Sequence, residues 1–208
     1  MTGRKLFQLL KPVINSLSFV LSFLPRFLFE FTWPILELFP WRLGIFLRYL
    51  WAKRLAKSCG DNVLFETGVR VTYWEEIELG SNVAIFETCY LDGKGGIKIG
   101  NNVSIQRNVL LSAVEPIVIG NDVSIAHNVT ILTSSHPFKG EGIVKKRPLI
   151  TAPVSIGSDV WIGMNVSILL GCSIGDCSVI GAHSLVRVDV ADGTVVGGVP
   201  ARKIGDRF

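Results

Sequence analysis

The chain has 208 residues and a formal net charge of +4, with 18% charged and 49% hydrophobic residues. That length allows one or two domains, and so apolar a composition calls for extensive burial of aliphatic surface. None of the four cysteines falls in a CxxC pair, which excludes a zinc ribbon, and nothing in their use demands an oxidising compartment.

The charge is unevenly spread. Up to Cys59 there are nine Lys/Arg against two Glu, about +7, whereas the remainder carries about −3. A basic, aromatic front on a mildly acidic body points to an anionic surface as partner, not to nucleic acid. The longest uncharged run in residues 1–59, Pro12 to Pro25, has 14 residues. As a helix it would reach ~21 Å against a hydrocarbon core of ~30 Å. Pro12, Pro25, Pro34 and Pro40 punctuate the segment, and Arg26, Glu30, Glu37 and Arg42 interrupt it. A simple transmembrane span is therefore disfavoured. So is a signal peptide, because no small-x-small cleavage site follows the apolar run and the aromatic stretch continues past it. The expectation is two or three short helices lying in a membrane interface. Trp33, Trp41 and Trp51 would be anchors. Arg48, Lys53, Arg54 and Lys57 would face anionic headgroups, each worth about 1 kcal/mol there. A helical cap that closes the next element or packs between subunits is the alternative, and the two roles are compatible.

Residues 60–190 carry a repeat. In VSIGSDVWIGMNVSILLGCSIGDCSVIGAHSLV an aliphatic residue recurs every six positions, at Ile156, Ile162, Ile168, Ile174, Ile180 and Val186. Gly follows four of them, at Gly157, Gly163, Gly175 and Gly181. Period six is neither helical nor an alternating strand; it fits short strands ended by corners. The phrases IELGSNV, IKIGNNV and IVIGNDV begin at Ile77, Ile97 and Ile117, and VSIGSDV at Val154. The first three lie twenty residues apart, which is three hexads plus a two-residue excess at a corner. One hexad cannot bury its own aliphatic face, but stacked coils can. About six coils at ~4.8 Å per strand make a prism ~29 Å tall. Cys89 and Cys172 take small inward positions, which predicts buried packing. The pairs Asn101–Asn102 and Asn121–Asp122 suit left-handed turns at corners.

The rhythm stops after Ile131 and resumes at Ile156. Loop 132–153 holds Ser134–Ser135–His136–Pro137, and a long loop in a periodic chain is usually functional. Lys145, Lys146 and Arg147 read as a solvated basic patch or as ligands for an anionic acceptor. Glu141 is a possible orienting partner for His136. His127 and His183 occupy corner positions and read as surface residues.

The repeat from about Asp61 onward resembles the hexapeptide-repeat acyltransferases, and the SSHP element after NVTIL resembles the galactoside and maltose acetyltransferase branch. The resemblance implies an all-β fold, a left-handed parallel β-helix of triangular section, assembled as a homotrimer with acetyl-coenzyme A between adjacent prisms. It maps the family's general base onto His136, whose ordinary pKa near ~6.5 suits that task. Trp161, Gly163 and Met164 match the family's cofactor element, with the Met164 amide aimed at the developing oxyanion. Ala182 matches a cofactor contact, and His183 stands where the family usually has Gly. Arg187 takes the place of the usual Thr-Lys pair, and Arg202 and Lys203, in tail 191–208, match residues that meet the nucleotide phosphates. Gln106, with Asn108 two residues on, holds the place of an acceptor-binding Asn.

The implied reaction is direct O-acetyl transfer from acetyl-coenzyme A to a sugar hydroxyl of a surface polysaccharide or its lipid-linked precursor. It would occur in the cytoplasm at the inner face of the membrane. N-acetylation of an amino sugar or amine and a non-enzymatic β-helix scaffold are the rivals. A zinc hydrase of the γ-carbonic-anhydrase kind needs a close His pair that the chain's three His do not form, so no metal is expected.

Overall fold

The twenty-residue phrase dictates the register. Strands Ile77–Leu79, Ile97–Ile99, Ile117–Ile119 and Val154–Ile156 pair in parallel, with Ile77, Ile97, Ile117 and Val154 stacked one above another. The same holds for Ile85, Ile105, Ile125, Ile162 and Ile180 on a second face. On a third face, Leu91, Leu111, Ile131, Ile168 and Val186 stack likewise. All these side chains are buried and form one continuous core. A computed structural model, which describes residues 3–208 and side chains from Phe7 on, thus gives a three-faced parallel β-helix.

Six complete coils cover residues 58–72, 77–92, 97–112, 117–132, 154–168 and 173–186, and a partial seventh follows. Val190 bridges Ile174, and Thr194–Gly197 pairs in parallel with the second-face strand below. Arg202–Asp206 then folds back antiparallel on it. The segment expected as a tail therefore finishes the second sheet.

The corners follow the side chains that tolerate left-handed backbone. Asn82, Asn102, Asp122 and Asp159 line the edge between the first and second faces with φ of 55 to 58°. Thr88, Asn108, Asn128, Asn165 and His183 line the edge between the second and third faces with φ of 57 to 61°. Cys89 and Cys172 are buried at inward positions, as their place in the hexad predicts.

Three helices precede the prism: α1 (Gly3–Ser22), α2 (Arg26–Leu36) and α3 (Trp41–Leu55). Pro25 and Pro40 stand at the N-caps of α2 and α3, where a missing N–H costs nothing, while Pro12 and Pro34 lie within α1 and α2. No helix among the described residues is long and apolar enough to cross a membrane. The helices close the open end of coil 1: Trp33 packs edge-on against Trp74 and Phe65, with centroids 4.7 and 5.7 Å away.

This joint corrects several expectations. Trp33 is 3% exposed and Arg48 is fully buried, so neither faces a membrane surface; of the three expected Trp anchors, Trp41 is the one that is freely exposed, at 83%. Trp51 donates its indole N–H to Thr32 Oγ1 at 2.8 Å. Lys53 lies 3.8 Å from Asp61, Lys57 2.9 Å from Glu78, and Arg54 donates to the Leu24 carbonyl at 3.3 Å. These cations hold the cap together. Arg48 does most: its Nε donates to the Phe65 carbonyl at 2.8 Å, and Nη1 to those of Leu36 and Phe39 at 2.8 and 2.7 Å. One guanidinium thus satisfies orphan carbonyls at the end of α2 and ties both helices to coil 1. Burial pulls its pKa below the usual value, opposed by nearby Glu66.

Arg48→Met leaves those carbonyls unsatisfied and should destabilise the cap by about 3 kcal/mol. Arg48→Lys should not restore it, because an ammonium does not reproduce the planar fork. Denaturant unfolding followed by Trp fluorescence measures both; wild-type midpoints would refute this role.

Candidate active site

Because coils stack in register, each corner position becomes a straight edge. Along the edge between the second and third faces lie Glu87, Arg107, His127, Met164 and Ala182, one per coil. Arg107 grips Glu87 through two bonds of 2.7 and 3.0 Å. The His127 carbonyl accepts the Asn165 N–H at 2.9 Å, so His127 sits one coil from Met164. Sequence reasoning placed His127 at a corner but gave no sign that it borders the Met164 amide; only the coil count reveals it.

Met164 is exposed, and its N–H has no hydrogen-bond acceptor among the described residues, while its carbonyl takes the His183 N–H at 2.9 Å. A corner amide left open in this way can donate to a bound oxygen. Gly163 is buried beside it; a Cβ there would lie 2.6 Å from the Ala182 nitrogen, so only Gly lets coils 5 and 6 approach. Trp161 is exposed on the second face, in the sheet whose last strand, Arg202–Asp206, carries Arg202 and Lys203. Lys203 is paired with Asp206 at 2.6 Å; Arg202 donates only to the Ala201 carbonyl, at 2.9 Å. Six of the seven predicted cofactor residues, Trp161, Gly163, Met164, Ala182, Arg202 and Lys203, therefore share the second face and its edge.

Arg187 is not among them. It follows the third-face strand Leu185–Val186 and is exposed toward the edge between the third and first faces. His136 rises from that same edge, after Thr130–Leu132. Within one chain the whole third face separates His136 from Met164. Upstream, Gln106 is half-buried at the edge of Met164, and Asn108 beside it is committed to the ladder, accepting from Thr88 and donating to Asn128 at 3.1 Å.

The loop that carries His136 is built. Buried Thr133 anchors its base: Oγ1 accepts the N–H groups of Val114 and Glu115 at 2.8 and 3.0 Å and donates to the Ser112 carbonyl at 3.1 Å. Ser134–Ser135 pairs antiparallel with Ile150–Thr151, and Thr151 Oγ1 donates to Glu115 at 2.9 Å. Arg147, expected in a solvated patch, is instead the loop's internal staple. It donates to the carbonyls of Pro137 (3.0 Å), Glu141 (3.2 Å), Gly142 (2.9 Å) and Gly140. Glu141 thus contributes its backbone to Arg147 and makes no hydrogen bond to His136. No thiol is poised as a nucleophile here: burial pushes Cys89 up to about 11 and Cys59 up to about 12.

Residues 153–188, coils 5 and 6, match the sequence model of the bacterial transferase hexapeptide (six repeats). That stretch of the chain carries the bacterial transferase hexapeptide. Solved structures with the same architecture include AntD, an N-acyltransferase from Bacillus cereus. A mutant of it in complex with dTDP-4-amino-4,6-dideoxyglucose and coenzyme A has TM-score 0.69 and 28% identity, over 75% of this chain and 87% of that one. AntD with dTDP and 3-hydroxybutyryl-CoA gives TM-score 0.71 at 26% identity, over 75% and 86%. A hexapeptide-repeat containing acetyltransferase from Vibrio cholerae O1 biovar eltor, complexed with acetyl-coenzyme A, gives 0.59 at 28% identity, over 78% and 77%. Among proteins of curated function, none matches the sequence.

The hexapeptide-repeat prism should tolerate loss of the Arg147 staple while the loop does not. Arg147→Gln should raise the rate of trypsin cleavage at Lys139 and Lys145 about tenfold and leave the main unfolding transition in place. Cleavage at the wild-type rate would remove the staple.

Proposed function

We propose that the protein transfers an acyl group, acetyl in the simplest case, from acyl-coenzyme A to a saccharide hydroxyl. The observation that carries this reading is the grouping of Trp161, Gly163, the open Met164 amide, Ala182 and Arg202 on one face and edge, in a fold whose relatives were crystallised with coenzyme A or its thioesters. The second face takes the donor, Arg202 and Lys203 meet its phosphates, and Met164 N–H donates to the thioester oxygen as charge develops there. His136 removes the acceptor's hydroxyl proton as that oxygen attacks the carbonyl. The carbon–sulfur bond then breaks, and the imidazolium returns the proton to the departing thiolate.

Because His136 and Met164 occupy different edges, a second copy must bring its own loop to this edge, and we assign a homotrimer. The loop supports that assignment: Phe138 is 79% exposed, and Ile143, Leu149 and Ile150 are exposed with it, an apolar set that a neighbouring prism would cover. The helical segment supports a site at a membrane surface, since Phe19, Phe23, Phe27, Phe31 and Trp41 are all exposed, and cytosolic supply of the acyl-coenzyme A donor puts that site on the cytoplasmic side. The acceptor is then a surface polysaccharide or its lipid-linked precursor. The likeness to an N-acyltransferase bound to a dTDP-amino sugar favours a second reading, in which the nucleophile is a sugar amine. Profiling hydroxyl and amino acceptors with labelled acetyl-coenzyme A separates the two.

His136→Ala should lower turnover by about 10²–10⁴-fold with the fold intact, whereas His127→Ala should cost less than about tenfold. The reverse order would move the base to the edge of Met164. Replacing Phe138 and Ile143 together by Asp should shift sedimentation from trimer to monomer and abolish activity; an active monomer would contradict the shared site.

A further inference from the structure

A groove of about 440 Å³ opens between α1, α3 and coil 1, on the helical side of the molecule. Leu10, Ile14, Ile45, Phe46, Val63 and Leu64 make most of its wall. Its volume lies within the range of roughly 300–1,000 Å³ usual for small-molecule sites. Two of its polar groups are already engaged: Tyr49 donates its hydroxyl to the Gly60 carbonyl at 3.1 Å, and Asn62 donates to Asn82 Oδ1 at 2.9 Å. The wall therefore offers a guest apolar surface and one cation, Arg42.

Arg42 differs from its neighbours. Lys11 and Lys53 hold Asp61, Arg26 holds Glu30 and Glu75, and Lys57 holds Glu78. Arg48 and Arg54 are spent on carbonyls. Among the cations of the helical segment whose side chains are described, only Arg42 lacks a partner, and it is exposed. Leu9 and Val13 of α1 and Trp41 and Leu43 of α3 are exposed apolar side chains on the same two helices that wall the groove.

We propose that this groove binds the hydrocarbon chain of a single-chain lipid phosphate, with Arg42 on the phosphate. A guanidinium presents paired donors that match phosphate oxygens, and the wall takes the chain. The groove is sized for one chain, which selects this class over a two-chain bilayer phospholipid. A lipid-linked saccharide has this chemistry, so the groove would hold the acceptor's anchor while the sugar reaches the prism. The proposal rests on the membrane-surface part of the preceding reading and not on acyl transfer.

Equilibrium binding to the full chain, without acyl-coenzyme A, therefore tests it independently of catalysis. Fluorescence titration below micelle formation should show saturable binding of dodecyl phosphate, about tenfold weaker binding of dodecyltrimethylammonium, and none of inorganic phosphate. Arg42→Gln should erase the preference for phosphate and keep the fold. Ile45→Trp, which fills the groove, should abolish binding of both amphiphiles. Farnesyl phosphate should compete, whereas vesicles containing phosphatidic acid should not. Equal affinity for the two head groups, wild-type binding by Ile45→Trp, or competition by the two-chain lipid would each overturn the proposal. So would absence of binding with a change of oligomeric state in Ile45→Trp, which would give the groove to a second copy.

Discussion

The structure depends on one constraint: after each coil the chain must return to its starting lateral position. Parallel pairing leaves no slack for drift. Ile77, Ile97 and Ile117 align because the backbone groups of each coil bond to the next, and a slip would turn the whole aliphatic set outward. Small residues enforce the approach, since a Cβ on Gly80 or Gly100 would lie 2.5 Å from the carbonyl oxygen of the next corner Gly. The alignment turns corners into edges and places chemistry by coil number. It also explains how the prism accepts its loop. Asn121 bonds to Ser158, 37 positions on, where Asn101 bonds to Asn121, 20 positions on, and the coil above the loop resumes the same register. Closing the longer connection costs little, as each doubling of loop length adds only ~0.6 kcal/mol. A rigid column thus carries a projecting His136 at small cost to the core.

The two ends of the column are treated differently. The C-terminal end is finished by its own sheet, with Arg202–Asp206 folded back on Thr194–Gly197. The other end would expose Phe65 and Trp74, and the three helices cover it. Arg48 resolves the conflict this creates. The end of α2 and the end of the second-face strand of coil 1, at Phe65, both present carbonyls to the buried Arg48, and a planar cation with donors on several sides serves both. Gly44 has no side chain to block it: a Cβ there would lie 2.9 Å from Arg48 Nη1.

Much of this was legible in the residues because it is periodic. The hexads foretold the three faces, the corners and the buried Cys89 and Cys172, and the break after Ile131 marked the loop. What escaped depends on tertiary neighbours. Arg48, among aromatic residues in a basic stretch, reads as a headgroup contact; its acceptors are Leu36, Phe39 and Phe65, and no spacing rule connects them. Trp33 reads as an anchor until Trp74, forty-one positions on, supplies its partner. Arg147 serves carbonyls of an irregular loop, a pattern without period. The resemblance assigns both Trp161 and Arg202 to the donor, but the strand that turns back to put Arg202 in the same sheet is hidden by a tail-like composition.

The central claim is that one copy's donor face and another copy's loop make a single site. Mixed oligomers test it most directly. A His136→Ala protein would be dissociated and reassembled with a Trp161→Ala, Arg202→Gln, Lys203→Gln protein, each inactive alone, and acetyl transfer would be measured. The account predicts recovery of part of the wild-type rate, because some interfaces then pair an intact loop with an intact donor face. A verified mixed oligomer as inactive as its parents would contradict it.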